Sequence, residues 1–178
     1  MAQVSHSEKL VTLLKEDSQV FEQEEVVARL KAQLSHSDGI RGFFVTYLTG
    51  LGDDTPADQS SIPQALVAAM EVADLTELIP LACMNVVMPT GMITMHQDPE
   101  LSAQSKKTAD RGIRFLASMK TDAAVQKTCE AIIAVATNSQ GQVSDESFQF
   151  WTKFFKNWGY EDAQKVDIAT AIRSVLKK

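Results

Sequence analysis

The chain has 178 residues, a formal net charge of −6, 44% apolar residues and 22% charged residues, with a mean hydropathy of −0.10. That is enough chain for one sizeable core, and too apolar a composition for a disordered polymer. The acidic balance argues against nucleic acid and membrane as partners, since nucleic acid and anionic lipid both demand concentrated positive charge.

The amino-terminal segment MAQVSHSEKLVTLLKED has no long uncharged apolar run and no clear cleavage site. It therefore reads as a cytoplasmic chain without a secretory signal. Ser7 is placed to cap a first helix with Leu10, Val11, Leu13 and Leu14 inward. A second helix is expected over 20–34, with Val20, Val27, Leu30 and Leu34 at helical spacing and an acidic start that suits the helix dipole. Glu22 and Glu25 sit at i, i+3, but no matching acids accompany them, so they read as a solvated face. SHSDG at 35–39 reads as a turn broken by Gly39.

IRGFFVTYL at 40–48 suits a short, heavily buried helix. Its composition also suits a strand, but no partner strand is evident to pair its backbone. GLGDDTPADQSS at 50–61 is the clearest loop. Asp53, Asp54 and Asp58 lie within it, between or beside Gly52 and Pro56, and read as a solvated acidic loop. Ser60 or Ser61 is expected to cap a helix with Pro63 in its first turn and Ala65, Leu66, Ala69, Met70 and Ala73 buried.

The most apolar stretch, DLTELIPLACMNVVMPTGMITMH, covers 74–96. Asp74 and Glu77 resemble a capping box. A helix is expected from about Leu75 to Met88, then a kink or break at Pro89-Thr90-Gly91, then a short second helix, because proline removes a backbone donor and clashes with the preceding turn. Met84, Met88, Met92 and Met95 would form one stripe on a continuous helix. The stripe reads first as flexible core filling. The alternative is a pocket for an apolar ligand beside the kink, bordered by Met84, Met88, Met92, Met95, His96 and Cys83. The uncharged run reaches the lower length limit for a bilayer span, but its prolines, glycine and polar residues favour a buried core helix. Cys83 and Cys129 form no CxxC pair and read as isolated, buried free thiols. No metal, cofactor or catalytic residue can be assigned.

Asp98-Pro99 is a clean helix start, with the helix running to about Met119. Leu101, Ile113 and Leu116 should face inward, and Lys106, Lys107, Arg111 and Arg114 should form a solvated basic side. Thr121 or Asp122 starts the next helix, lined by Val125, Cys129, Ile132, Ile133 and Ala136. After the loop at 138–142, Ser144 should cap an aromatic helix. Phe148, Trp151, Phe155 and Trp158 share one face, widened by Phe150 and Phe154. Gly159 ends it. The last helix, from about Glu161 to Leu176, should turn Val166, Ala169, Ile172 and Leu176 inward.

Residues 136–148, ATNSQGQVSDESF, resemble a degenerate EF-hand loop. Gly141 matches the sharp-turn glycine and Val143 the apolar position, but Ala136 and Ser147 stand where acidic ligands are needed, so the loop is not expected to bind calcium. The segment from about 121 to 158 also resembles the tellurite-resistance B-type helical family. That resemblance implies a helix-loop-helix shape and carries no function.

The sequence therefore predicts one all-α domain over 1–178, a compact irregular bundle of seven to nine helices. Its expected role is that of a non-catalytic protein-interaction module. It is expected to form a homo-oligomer, or to bind a partner protein, through an interface that includes Phe150, Trp151, Phe154 and Trp158.

Overall fold

The computed structural model describes residues 24–50, 55–59, 61–71, 73–139 and 146–177. The expected first helix, Glu22, His6, Asp53, Asp54 and Ser60 lie outside these residues. The fold is all-α. Among the described residues there are eight α-helices: α1 (Glu24–Gln33), α2 (Ser37–Thr49), α3 (Gln64–Met70), α4 (Leu75–Ile93), α5 (Pro99–Ser118), α6 (Ala123–Ala136), α7 (Glu146–Trp158) and α8 (Asp162–Lys177). A short 3-10 turn, Pro56–Asp58, follows α2. The chain packs as two compact units, Met1–Ala82 and Cys83–Lys178, so the boundary falls inside α4.

In the first unit α1 packs on α2 and α3. Val26, Leu30 and Leu34 supply one side of the core, and Ile40, Phe43, Phe44, Tyr47 and Leu48 another. The Phe43 and Tyr47 rings stack with centroids 5.0 Å apart. Gly39 is not a breaker. It lies inside the first turn of α2, against the Gln33 carbonyl at the end of α1, where a Cβ would clash. His36 caps α2, its Nδ1 accepting the Gly39 N–H at 2.8 Å. The buried Gln33 side chain donates to the Gly39 carbonyl at 2.9 Å. The tight corner thus satisfies its own polar groups. Pro63, not a serine, stands at the N-cap of α3.

The expected break at Pro89 does not occur: α4 is continuous through both prolines to Ile93. Its start is the Asp74 cap, whose carboxylate accepts the Thr76 backbone N–H at 3.0 Å and the Thr76 hydroxyl. The hydroxyl bond, and then the backbone bond, lower the Asp74 pKa. The far end is held by tertiary contacts in the second unit. Pro89 has no N–H to give the Asn85 carbonyl one turn back, and Gly112 of α5 packs directly on that carbonyl. Near the carboxyl end, Gln164 of α8 donates to the Gly91 carbonyl at 2.6 Å, and the Ser102 hydroxyl of α5 donates to the Ile93 carbonyl at 2.8 Å. Carbonyls that a helix terminus normally leaves open are therefore bonded, and the surrounding helices keep α4 helical.

Within this second unit, α6 packs on both α7 and α8, and α5 packs on α8. Asp98 and Asp122 cap α5 and α6 as their sequence positions imply. Two inward assignments and one outward assignment fail. Leu101 and Val166 are exposed, and Arg111 is only 2% exposed rather than on a solvated basic face. Periodicity fixes a stripe only to within about a third of a turn, and the neighbouring helix decides which edge of it is covered. In α8 the covered edge is Ile168, Ile172 and Val175.

Candidate functional site

Two regions carry the residues singled out by the sequence. The first is the part of α4 that belongs to the second unit. Cys83 is fully buried. Met84, Met88 and Met92 are half-buried, as is His96 just beyond the helix. Met95 is 61% exposed. The four methionines therefore run from partial cover into solvent and do not converge on an enclosed centre. Two surface depressions of about 170 and 290 Å³ lie elsewhere. One is lined by Ala134, Val135, Asn138, Phe148 and Thr152, the other by Lys120, Thr121, Gln126, Glu130 and Leu176.

On another side of α4 the space beside Gly91 is filled. A Cβ there would lie 2.5 Å from Cε1 of Tyr160. The Tyr160 ring meets Phe155 edge-on at 5.2 Å and stacks on Trp158 at 6.4 Å. Gln164 bridges this cluster: its amide nitrogen donates to Gly91 and its oxygen accepts the Glu161 N–H at 2.8 Å. The Tyr160 hydroxyl is buried and meets no hydrogen-bond partner among the described residues. Burial pushes its pKa up to about 12. Sequence reasoning missed Tyr160 and Gln164. Their partner, Gly91, is far away in the chain, and no local pattern announces the contact.

The Cys129 thiol, and then burial, push the Cys83 thiol well above its ordinary pKa. Both are free and buried. Among the described residues no group of three or more His, Cys, Asp and Glu side chains could hold a metal ion.

The second region is α7. Trp151 (1% exposed) and Phe155 (5%) turn inward. Phe150 and Trp158 are 44% and 49% exposed, and Phe154 between them is half-buried. These three stand at i, i+4 and i+8, one above another on the helix surface. Ring centroids are 6.3 Å apart for Phe150 and Phe154, and 6.0 Å for Phe154 and Trp158. Trp158 thus belongs to the outer row and not to the inner face. Trp151, expected at the interface, is a core side chain touching Phe150 and Phe154 edge-on at 5.2 Å each. Lys153, Lys156 and Asn157 are exposed beside the row.

Residues 140–145, which carry most of the EF-hand-like and tellurite-resistance-like pattern, lie outside the described residues. Of its flanks, Ala136 ends α6. Asn138 takes a left-handed φ of 52°. Ser139 N–H reaches the Ala134 carbonyl at 2.9 Å and Asn138 N–H the Val135 carbonyl at 3.3 Å, the bond pair of a Schellman helix end. Asn138 therefore closes a helix.

No curated protein and no solved structure matches the chain significantly. A family model does match, over residues 3–175. On that near-complete match, the chain belongs to the family described as uncharacterised conserved protein UCP020893.

Proposed function

We propose that this protein is a non-catalytic interaction module that self-associates through the outer face of α7. One observation carries the reading: Phe150, Phe154 and Trp158 form a continuous aromatic row that is half open to solvent while Trp151 and Phe155 already fill the core side. Aromatic side chains are the type most enriched at interface centres, and a contiguous exposed set is uncommon without a partner. A second copy suits the row because a two-fold contact needs only a self-complementary patch. In an antiparallel pairing, Phe150 of one helix meets Phe154 of the other. The acidic first turn at Glu146 then lies toward the basic last turn at Lys156, which favours that orientation.

The reading treats the protein as soluble and cytoplasmic. α4 is long and apolar enough to cross a membrane by length and composition, but half of its apolar window is buried within the protein, which supports a core helix. The filled contact of Tyr160 on Gly91 and the spread of the methionines into solvent disfavour a ligand pocket on α4.

Sedimentation velocity over a concentration series tests the proposal. The wild type is expected to move from monomer to dimer as concentration rises, and Phe150→Lys to remain monomeric with unchanged helicity. A wild type that stays monomeric throughout, or a Phe150→Lys/Trp158→Lys chain that dimerises equally well, would refute it.

A further inference from the structure

The end of α4 is continued by one further turn. The Met92 carbonyl accepts the N–H groups of both Met95 and His96, each at 3.1 Å. Met92, Met95 and His96 therefore stand at i, i+3 and i+4, the latter two each with a Cβ about 5–6 Å from that of Met92. Because α4 runs unbroken through Pro89, Met88 lies on the same side one turn earlier. None of these side chains is buried. Met95 is 61% exposed, and Met88, Met92 and His96 are half-buried. We propose that Met92, Met95 and His96, with Met88 behind them, form an open surface clip for a thiophilic monovalent cation of the copper(I) class.

The donor chemistry selects the ion. Magnesium and calcium prefer carboxylate, carbonyl and water oxygens. Zinc sites draw on thiolate, imidazole and carboxylate. Neutral thioethers beside an imidazole suit the softer Cu(I). A closed-shell ion has no geometric preference from its d electrons, so donors gathered on one turn hold it without an enclosed cavity. Among the described residues no cluster of His, Cys, Asp and Glu competes for a metal.

Charge and backbone both favour the clip. The chain has no lysine or arginine between Arg41 and Lys106, while Asp98 and Glu100 are exposed just beyond His96. A cation arriving there meets negative charge along the adjoining chain. The backbone on either side of Met92 is tied down from two helices. Gln164 of α8 donates to the Gly91 carbonyl at 2.6 Å, and Ser102 of α5 donates to the Ile93 carbonyl at 2.8 Å. Binding therefore has only side-chain rotamers to order.

Silver nitrate in chloride-free buffer is the probe, a redox-inert stand-in for Cu(I). It is titrated into the full, reduced chain carrying labelled methionine methyl groups, and methyl and imidazole resonances are followed by NMR. The first equivalent is expected to move the methyls of Met92 and Met95 and the ring of His96. Met92→Leu/Met95→Leu/His96→Gln conserves volume at the two methionines and should keep wild-type helicity. It should lose more than the about tenfold in affinity that removal of an outer-shell partner typically costs at a metal site. A first equivalent that leaves the Met92 and Met95 methyls unmoved would overturn the proposal. So would a triple variant that binds silver as tightly as the wild type, which would put the ion on the cysteine thiols instead.

Discussion

Helices α4 and α7 are the two segments whose apolar side chains drew attention in the sequence, and the fold uses them in opposite ways. In the second unit, α4 is held on several sides: Gly112 presses on the Asn85 carbonyl, Tyr160 covers Gly91 and Gln164 bonds the Gly91 carbonyl. α7 is gripped on one side only, through Trp151 and Phe155, and leaves a row of rings outside. Apolar density alone is therefore a poor guide to an available surface. What matters is whether neighbouring helices reach the face, and close approach to α4 depends on glycines that let a backbone or ring come near.

This contrast can be broken most forcefully at the inner side of α7. Trp151→Ala removes a fully enclosed ring and should cost about 3–5 kcal/mol in chemical denaturation. A loss below about 1 kcal/mol would mean that α7 is not anchored as described. On α4, Gly91→Ala is expected to destabilise by about 1–3 kcal/mol despite the better helix propensity of alanine, because its Cβ would lie 2.5 Å from Cε1 of a Tyr160 ring that already packs against Phe155 and Trp158. A stabilised variant would show that the ring yields. Gln164→Ala withdraws the donor from the Gly91 carbonyl and the acceptor from the Glu161 N–H, for a loss of about 1–3 kcal/mol in the same assay.

Tyr160→Phe sharpens the comparison differently. It deletes a hydroxyl without a partner among the described residues, so stability at neutral pH should stay level or rise by up to about 1 kcal/mol. The pH dependence has a definite sign. The phenol is neutral in both states below its ordinary pKa of about 10. Between there and about 12 the unfolded chain loses its proton while the folded chain keeps it, so wild-type stability falls as pH rises across that window. The Phe variant should lack this component of the alkaline loss, and identical slopes would count against the buried phenol. The smallest effect belongs to the outer row: Phe150→Ala should change monomer stability by no more than about 0.5 kcal/mol while weakening self-association.

Much of the fold was legible because it is written locally. Asp98 before Pro99, Asp122 before α6 and Gly159 after α7 act within one helical turn, and each marks the boundary it implies. The aromatic spacing of α7 likewise announced an amphipathic helix. It did not say which rings would be covered, and Trp151 and Trp158 separated onto different faces. The turn at 35–39 was legible as a turn, but not that the exposed His36 ring would cap α2.

By itself, then, the sequence determined that the chain is all-helical, where several helices begin and end, and which segments are apolar enough to form a core. Those properties follow from backbone sterics, capping and periodicity within a few residues. Only the tertiary structure decided that α4 continues through Pro89, that Arg111 is buried, and that Tyr160 fills the space beside Gly91. Each of these depends on a partner helix whose position no local pattern encodes. A proline's lost hydrogen bond and a glycine's open side acquire their meaning from what packs against them.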